Sequence, residues 1–285
     1  MDLCKVCPNG CNVDRRLTAG ACGVTEKIKI AKYYLHPFEE PVISCKNGSG
    51  TVFFSGCSLR CAFCQNFEVS HGCRGKEISV EELAQIFREL YQMGADNINL
   101  VNPTHYSREI IKALEIFRPN IPIVWNTHGY ETLENLQLID PYVDIYLTDL
   151  KYFAPQRSLR YAKKANYFEV AKKATEFMLK SKIPVLVDGK MTKGVIVRHL
   201  ILPTNTDESC KILEFLAPLL KDNYLSLMSQ YTPFGNLDGL EEINRKITPR
   251  EYKKVLNKLY DLDVKNVFLQ DTSSADTAFI PEWDY

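Results

Sequence analysis

The sequence predicts an α/β fold: a partial or full parallel (β/α) barrel carrying a small cysteine-rich, metal-binding appendage at its N-terminus. Three observations predict it. From Thr51 onward short apolar runs alternate with amphipathic stretches, the pattern of repeated βα units around a parallel sheet. The 285 residues suffice for one such barrel of about 200–250 residues. Most of the 10 cysteines crowd into the first 64 residues, where apolar periodicity is weakest.

Residues 1–47 form the appendage and 48–285 the barrel domain, with the boundary at Gly48-Ser-Gly50. In the appendage only Lys27–Leu35 carries an element, a short helix. Strands follow at Thr51–Ser55, Asn97–Val101, Ile121–Asn126, Val143–Asp149, Val195–Leu202, Tyr224–Ser229 and Asn266–Gln270, each short, apolar and rich in β-formers. Helical spacing marks Val80–Met93, Tyr106–Phe117, Glu131–Ile139, Tyr167–Lys180, Asp207–Leu220 and Pro249–Leu262. Ser79, Ser107 and Thr248 serve as N-caps. Asp188-Gly189 is a turn signal that makes Pro184–Lys193 a small hairpin before the fifth strand.

Composition excludes several classes. With 35 basic against 35 acidic residues there is no basic field for a phosphate backbone, so nucleic acid is not an expected partner. No run approaches the roughly 18 apolar residues of a membrane span, and Met1–Gly10 lacks the features of a signal peptide. The chain is therefore expected to be cytoplasmic, where clustered cysteines point to metal ligation rather than disulfides.

Cys57-Ser-Leu-Arg-Cys61-Ala-Phe-Cys64 is a C-x3-C-x2-C loop placed directly after the first strand. Three thiolates hold three corners of a 4Fe-4S cube and leave one iron open to a chelating ligand, whereas zinc sites take four ligands in paired spacings. Strand ends are where a barrel gathers its active-site groups. Trp125-Asn126-Thr127-His128 ends the third strand and Thr148-Asp149-Leu150-Lys151 the fourth.

The segment Phe54-Ser-Gly-Cys57 through Cys64-Gln-Asn66 resembles the signature of the radical S-adenosylmethionine superfamily, in the branch of pyruvate formate-lyase activating enzymes and their relatives. The resemblance implies a radical SAM barrel and reductive cleavage of S-adenosylmethionine to methionine and a 5′-deoxyadenosyl radical, which abstracts hydrogen from a substrate. It further implies a protein or peptide substrate and an electron donor such as flavodoxin or ferredoxin. Glycyl-radical activation is the nearest enzymatic alternative, and a non-catalytic iron–sulfur binding or sensing protein is the rival of a different class.

By the same likeness Phe63 lies along the adenine, Lys151 pairs with the methionyl carboxylate, and Asp149 with Asn126 and Thr127 lines a monovalent-cation pocket. The family's glycine-glycine-glutamate stretch is replaced by Val101-Asn102-Pro103-Thr104-His105, in which Asn102, Thr104 and a neutral His105 offer acceptors to the methionyl amine. Arg198 resembles the fifth-strand arginine of these enzymes, suited to a carboxylate or peptide carbonyl. Gln230 or Thr232 stands where those enzymes carry a sixth-strand histidine.

Cys4-x2-Cys7-x3-Cys11-x10-Cys22 is a second constellation, four soft ligands in one short segment. Zinc and an auxiliary iron–sulfur cluster both suit it; nothing in the spacing demands redox activity, so zinc is the first expectation. Cys45, Cys73 and Cys210 are expected to be unligated. His36, Glu39 and Glu40, in a stretch with two prolines and no room for a regular helix, are expected to pack against the barrel.

Overall fold

The computed structural model describes residues 3–270 and Trp283. The end of the expected barrel domain, 271–282 and 284–285, lies outside the described residues. Strand β1 (Ile28–His36) runs antiparallel to β2 (Ser49–Phe54). A short helix α1 (Phe67–Ser70) leads to β3 (Lys76–Ile78), which pairs with the outer edge of β1. Repeating units follow: α2 (Val80–Gln92), β4 (Ile98–Val101), α3 (Ser107–Ile116), β5 (Ile123–Thr127), α4 (Leu133–Ile139) and β6 (Ile145–Asp149). The chain continues through α5 (Pro155–Ala162), α6 (Tyr167–Ser181), the hairpin β7 (Val185–Val187) and β8 (Lys190–Leu200), α7 (Thr206–Leu220), β9 (Tyr224–Met228), α8 (Pro249–Asp261) and β10 (Val267–Leu269).

The ten strands form one sheet in the order β10-β9-β8-β6-β5-β4-β2-β1-β3, with β7 paired only to β8. From β2 to β10 along this order every pairing is parallel. Among the described residues β3 and β10 remain unpaired edges, so the barrel is partial.

Strand parity explains the curvature. One set of alternate residues, Val52, Phe54, Ile98, Leu100, Ile123, Trp125, Val195, Val197, Leu225 and Leu227, packs in the large core shared with the helices. The opposite set, Val124, Ile145, Leu147 and Ile196, forms a separate apolar cluster with Ile43 and Met191. Because all crossovers lie on one face, the sheet bends around its inner face. The inner residues turn polar toward the C-terminal ends: Asn126 follows Val124, Asp149 follows Leu147, and Arg198 follows Ile196.

Three local expectations are corrected. Lys27–Leu35 is strand, not helix, because Ile28 and Ile30 are buried in alternation and the segment completes the ladder with β2. The sheet therefore begins at Ile28, ahead of Gly48-Ser-Gly50. Ser107 is the first residue of α3, not its cap, because its hydroxyl donates back to Thr104 O at 2.6 Å and a 3-10 turn, Thr104–Tyr106, runs straight into the helix. Helix α5, opened by Pro155 at its first position, has no counterpart among the expected elements. Ser79 and Thr248 cap α2 and α8 with complete capping boxes to Glu82 and Glu251. Among the described residues no helix is long and apolar enough to cross a membrane.

Candidate active site

A cavity of about 290 Å³ opens at the C-terminal ends of β2, β4, β5, β6, β8 and β9. Cys57, Cys61 and Cys64 line it together with Phe63, Asn102, Asn126, Thr127, Asp149, Lys151 and Arg198. Residues spread over some 140 positions of chain thus meet because each stands at a strand end.

The cysteine loop is fixed from several sides. Arg60 N–H donates to Cys57 Sγ (3.4 Å) and the Tyr152 hydroxyl to Cys61 Sγ (3.3 Å). Ser58 Oγ meets His128 Nε2 at 2.8 Å; because His128 Nδ1 accepts from Tyr130 N–H, the neutral ring donates at Nε2. Burial holds His128 neutral by lowering its pKa to about 4. The left-handed turn at Gly235 (φ +83°) fits under the same loop, where a Cβ would stand 2.3 Å from Ala62 O. Burial pushes the Cys57 thiol up to about 12 and Cys61 to about 11, so both stay protonated at neutral pH until a cation replaces the proton. The neighbouring Lys151 charge works against that rise at Cys61. Three soft donors facing one cavity suit a cubane with an open iron.

Beside the cysteines runs a charged chain. Asp149 and Arg198 are register partners on β6 and β8. Asp149 Oδ2 accepts from Lys151 Nζ at 2.6 Å, and its Oδ1 accepts from Arg198 Nε at 2.8 Å. Burial opposes the Asp149 charge, but the Arg198 and Lys151 cations outweigh it and hold the carboxyl below its usual range. Gly129, at φ +77°, lets the β5 turn approach: a Cβ there would sit 2.3 Å from Asp149 O.

Arg198 also donates to Asn126 Oδ1 (2.5 Å) and stands 3.7 Å from Glu39. Its guanidinium therefore fills the place between Asn126 and Asp149 expected to hold a monovalent cation. Thr127 is likewise committed, donating to Glu131 Oε1 at 2.7 Å.

Asn102 has left-handed backbone (φ 56°), donates to Gly56 O at 2.5 Å, and leaves its buried Oδ1 without a partner. Such an orphaned acceptor fits an ammonium group. Thr104 and His105 do not line the cavity. Pro103 turns the chain inward, so Thr104 donates to Glu131 Oε1 (2.7 Å) and His105 Nε2 donates to Ser55 O (2.7 Å). Both carry the strand end rather than the ligand.

Phe63 borders the cavity and is boxed edge-on by Tyr152, Tyr161 and Tyr231, with centroids 5.6–6.4 Å away. Gln230 reaches the cavity; Thr232 does not, and its buried Oγ1 has no partner. His36 and Glu39, expected as packing, also line the cavity, and Glu39 accepts from Asn99 Nδ2 at 2.7 Å. Two unlike roles, Glu39 against Arg198 and Glu131 beneath β4 and β5, are set by contacts across distant segments. Neither glutamate sits in a motif; the only local signal for Glu131 was its place just past a strand end. None of the ten cysteines forms a disulfide.

Fold and site together define an α/β barrel protein that brings a three-cysteine loop to a ligand cavity at its strand ends. The model of the Radical SAM superfamily matches residues 51–216, and the chain belongs to that superfamily. Membership implies a 4Fe-4S cluster and S-adenosylmethionine, and the donors just described fit both. Uncharacterized protein MJ0674 of Methanocaldococcus jannaschii is 32% identical over 274 residues, covering 92% of this chain and 76% of that protein. SuiB of Streptococcus suis, in a structure bound to the precursor peptide SuiA, shares the fold at a TM-score of 0.52 and 13% identity over 75% of this chain and 46% of SuiB. SuiB bound to S-adenosylmethionine gives the same TM-score and identity, with 48% of SuiB covered. The chain thus spans about half the length of SuiB.

Proposed function

We propose that this chain cleaves S-adenosylmethionine reductively and uses the resulting radical to abstract hydrogen from a peptide or protein substrate. The observation that carries the reading is the single cavity shared by Cys57, Cys61, Cys64, the orphaned Asn102 acceptor and Lys151. When bound, the cluster supplies one electron to the sulfonium and yields methionine and the 5′-deoxyadenosyl radical. The three thiolates would hold that cluster. Lys151, oriented by its 2.6 Å bond to Asp149, would meet the methionyl carboxylate, and Asn102 Oδ1 the methionyl amine. Phe63 would lie against the adenine, kept in place by its three tyrosines. Arg198 is already bonded to Asp149 and Asn126, so it serves to hold Asp149 and Asn126.

The peptide class rests on the activating-enzyme resemblance of the cysteine segment and on the peptide that SuiB binds. Glycyl-radical activation is one form of that chemistry, with flavodoxin or ferredoxin as electron source. Anaerobic incubation of reconstituted protein with dithionite and S-adenosylmethionine should yield 5′-deoxyadenosine, and the Cys61→Ala variant should yield none. A fully loaded cluster that leaves S-adenosylmethionine intact would make the chain a binding or sensing protein.

A further inference from the structure

The N-terminal segment is bonded directly to the strand ends that build the cavity. It folds around its own cysteines: Cys7 and Cys22 are buried, Cys4 and Cys11 half-buried. A Cβ on Gly20 would lie 3.5 Å from Cys11 Sγ and 3.6 Å from Cys22 Sγ, so both sulfurs border a recess that glycine leaves clear. From this segment Asn9 Nδ2 donates to Ser58 O at 2.7 Å, and the Cys22 carbonyl accepts from Cys57 N–H at 3.0 Å. A further link is Arg15, which is only 8% exposed. Its Nη1 donates to His105 O and its Nη2 to Thr25 O, with the guanidinium 5.5 Å from the centroid of the Tyr106 ring.

These bonds converge on Ser55-Gly56-Cys57. His105, held by Arg15 at its carbonyl, donates from Nε2 to Ser55 O at 2.7 Å. Gly56, at φ +83°, passes so close to the segment that a Cβ there would stand 2.7 Å from Cys22 O. Gly56 O in turn accepts from Asn102 Nδ2 at 2.5 Å. That bond fixes the plane of the Asn102 amide and leaves Oδ1 as the atom without a partner. The position of Gly56 O therefore decides where Oδ1 points. Arg15 does not line the cavity, so it reaches the ligand site through these intermediates.

We infer that Arg15 is a positioning residue for S-adenosylmethionine: by holding His105 it fixes Ser55 and Gly56, and through Gly56 O it aims Asn102 Oδ1 at the methionyl amine. The N-terminal segment is thereby part of the ligand site and not an appendage beside it. This role rests on the amine assignment of the proposed function. Thr104 lies between Asn102 and His105 in the chain but off this path, because its hydroxyl turns to Glu131. Its replacement is the comparison for a change that costs stability alone.

The test is a double-mutant cycle in the reconstituted full chain, with affinity read from the reduced cluster's paramagnetic resonance signal and iron content and melting temperature recorded beside it. Arg15→Met should bind S-adenosylmethionine roughly threefold to tenfold more weakly, and in the Asn102→Ala background the same substitution should leave affinity unchanged. A general loosening of the fold would instead weaken both backgrounds alike. An equal loss in the two backgrounds, or full affinity in Arg15→Met alone, would overturn the inference while leaving Asn102 at the amine. Undiminished binding by Asn102→Ala would overturn the amine assignment itself, and this role with it. Should Arg15→Met not fold, His105→Phe breaks the next link, the bond to Ser55 O, with Arg15 still in place. It must show the same loss and the same dependence on Asn102, and additive effects there overturn the inference equally.

Discussion

Replacing Lys151 by alanine separates ligand recognition from cluster assembly. Lys151 Nζ bonds Asp149 Oδ2 at 2.6 Å, with the two side chains 19% and 12% exposed. The loss does not orphan Asp149, because Arg198 remains on its other oxygen at 2.8 Å. The folding cost should therefore be about 1–2 kcal/mol, below the roughly 3–5 kcal/mol of breaking a buried pair that has no second partner. The ligand loses a charge-assisted bond of about 1.5–3 kcal/mol, which is on the order of tenfold to a hundredfold in affinity. Reconstituted Lys151→Ala should keep its cluster absorbance and bind S-adenosylmethionine that much more weakly when the reduced cluster's paramagnetic resonance signal is titrated. Lys253→Ala, on the exposed face of α8, is the control. Equal dissociation constants for the two variants would show that Lys151 serves only Asp149.

Asn102→Ala should weaken S-adenosylmethionine binding, whereas Thr104→Val, which leaves Glu131 short of one donor, should lower stability by about 1–3 kcal/mol and leave affinity unchanged. A reversal of those two effects in calorimetric titration would place the wrong oxygen at the amine. His199 is buried between Leu150 O and Ser209 Oγ, and burial lowers its pKa from 6.5 to about 4. Since the unfolded chain binds its proton first, stability contributed by neutral His199 is full above pH 6.5 and falls toward pH 4, by about 2 kcal/mol at pH 5. Denaturant midpoints for His199→Gln should show a weaker drop between pH 7 and pH 5 than the unaltered chain, and parallel curves would refute this. Gly235→Ala forces a left-handed alanine against Ala62 O and should reduce iron loading of the cysteine loop. Unchanged iron content with a normal melting temperature would mean the loop yields freely.

How much of this was legible in the sequence divides by range. Strands β4 to β6, β8 and β9 declare themselves because a parallel strand buried on both faces must be a short apolar run. Cys57, Cys61, Cys64, Asn126, Asp149, Lys151 and Arg198 fall in the cavity for the same reason: position at a strand end is a local property. What was not legible depends on contacts across the chain. Ile28–His36 mixes two lysines and two tyrosines among its apolar residues, and only its ladder with β2 makes it a strand. Thr104 and His105 share the strand end with Asn102, yet the left-handed Asn102 and the following Pro103 turn them away from the ligand. Glu39 pairs with Arg198 from the far side of β1, a meeting that no spacing encodes.

The charge chain gives the cavity a definite electrical character. Lys151 and Arg198 face Asp149 and Glu39, and burial raises the carboxyl of the adjoining Glu40 to about 7. With Arg198 bound on three sides, its charge is spent on the protein's own acceptors, and Lys151 is the cation with donors still to offer: one of its three N–H groups is used by Asp149. An amino acid moiety brings one carboxylate and one ammonium. Lys151 matches the first and the unpartnered Asn102 Oδ1 the second, from strand ends on opposite sides of β5. Under the proposed function a zwitterion held this way would be oriented by geometry as well as charge, which is the condition for holding its sulfur in one position relative to Cys57, Cys61 and Cys64.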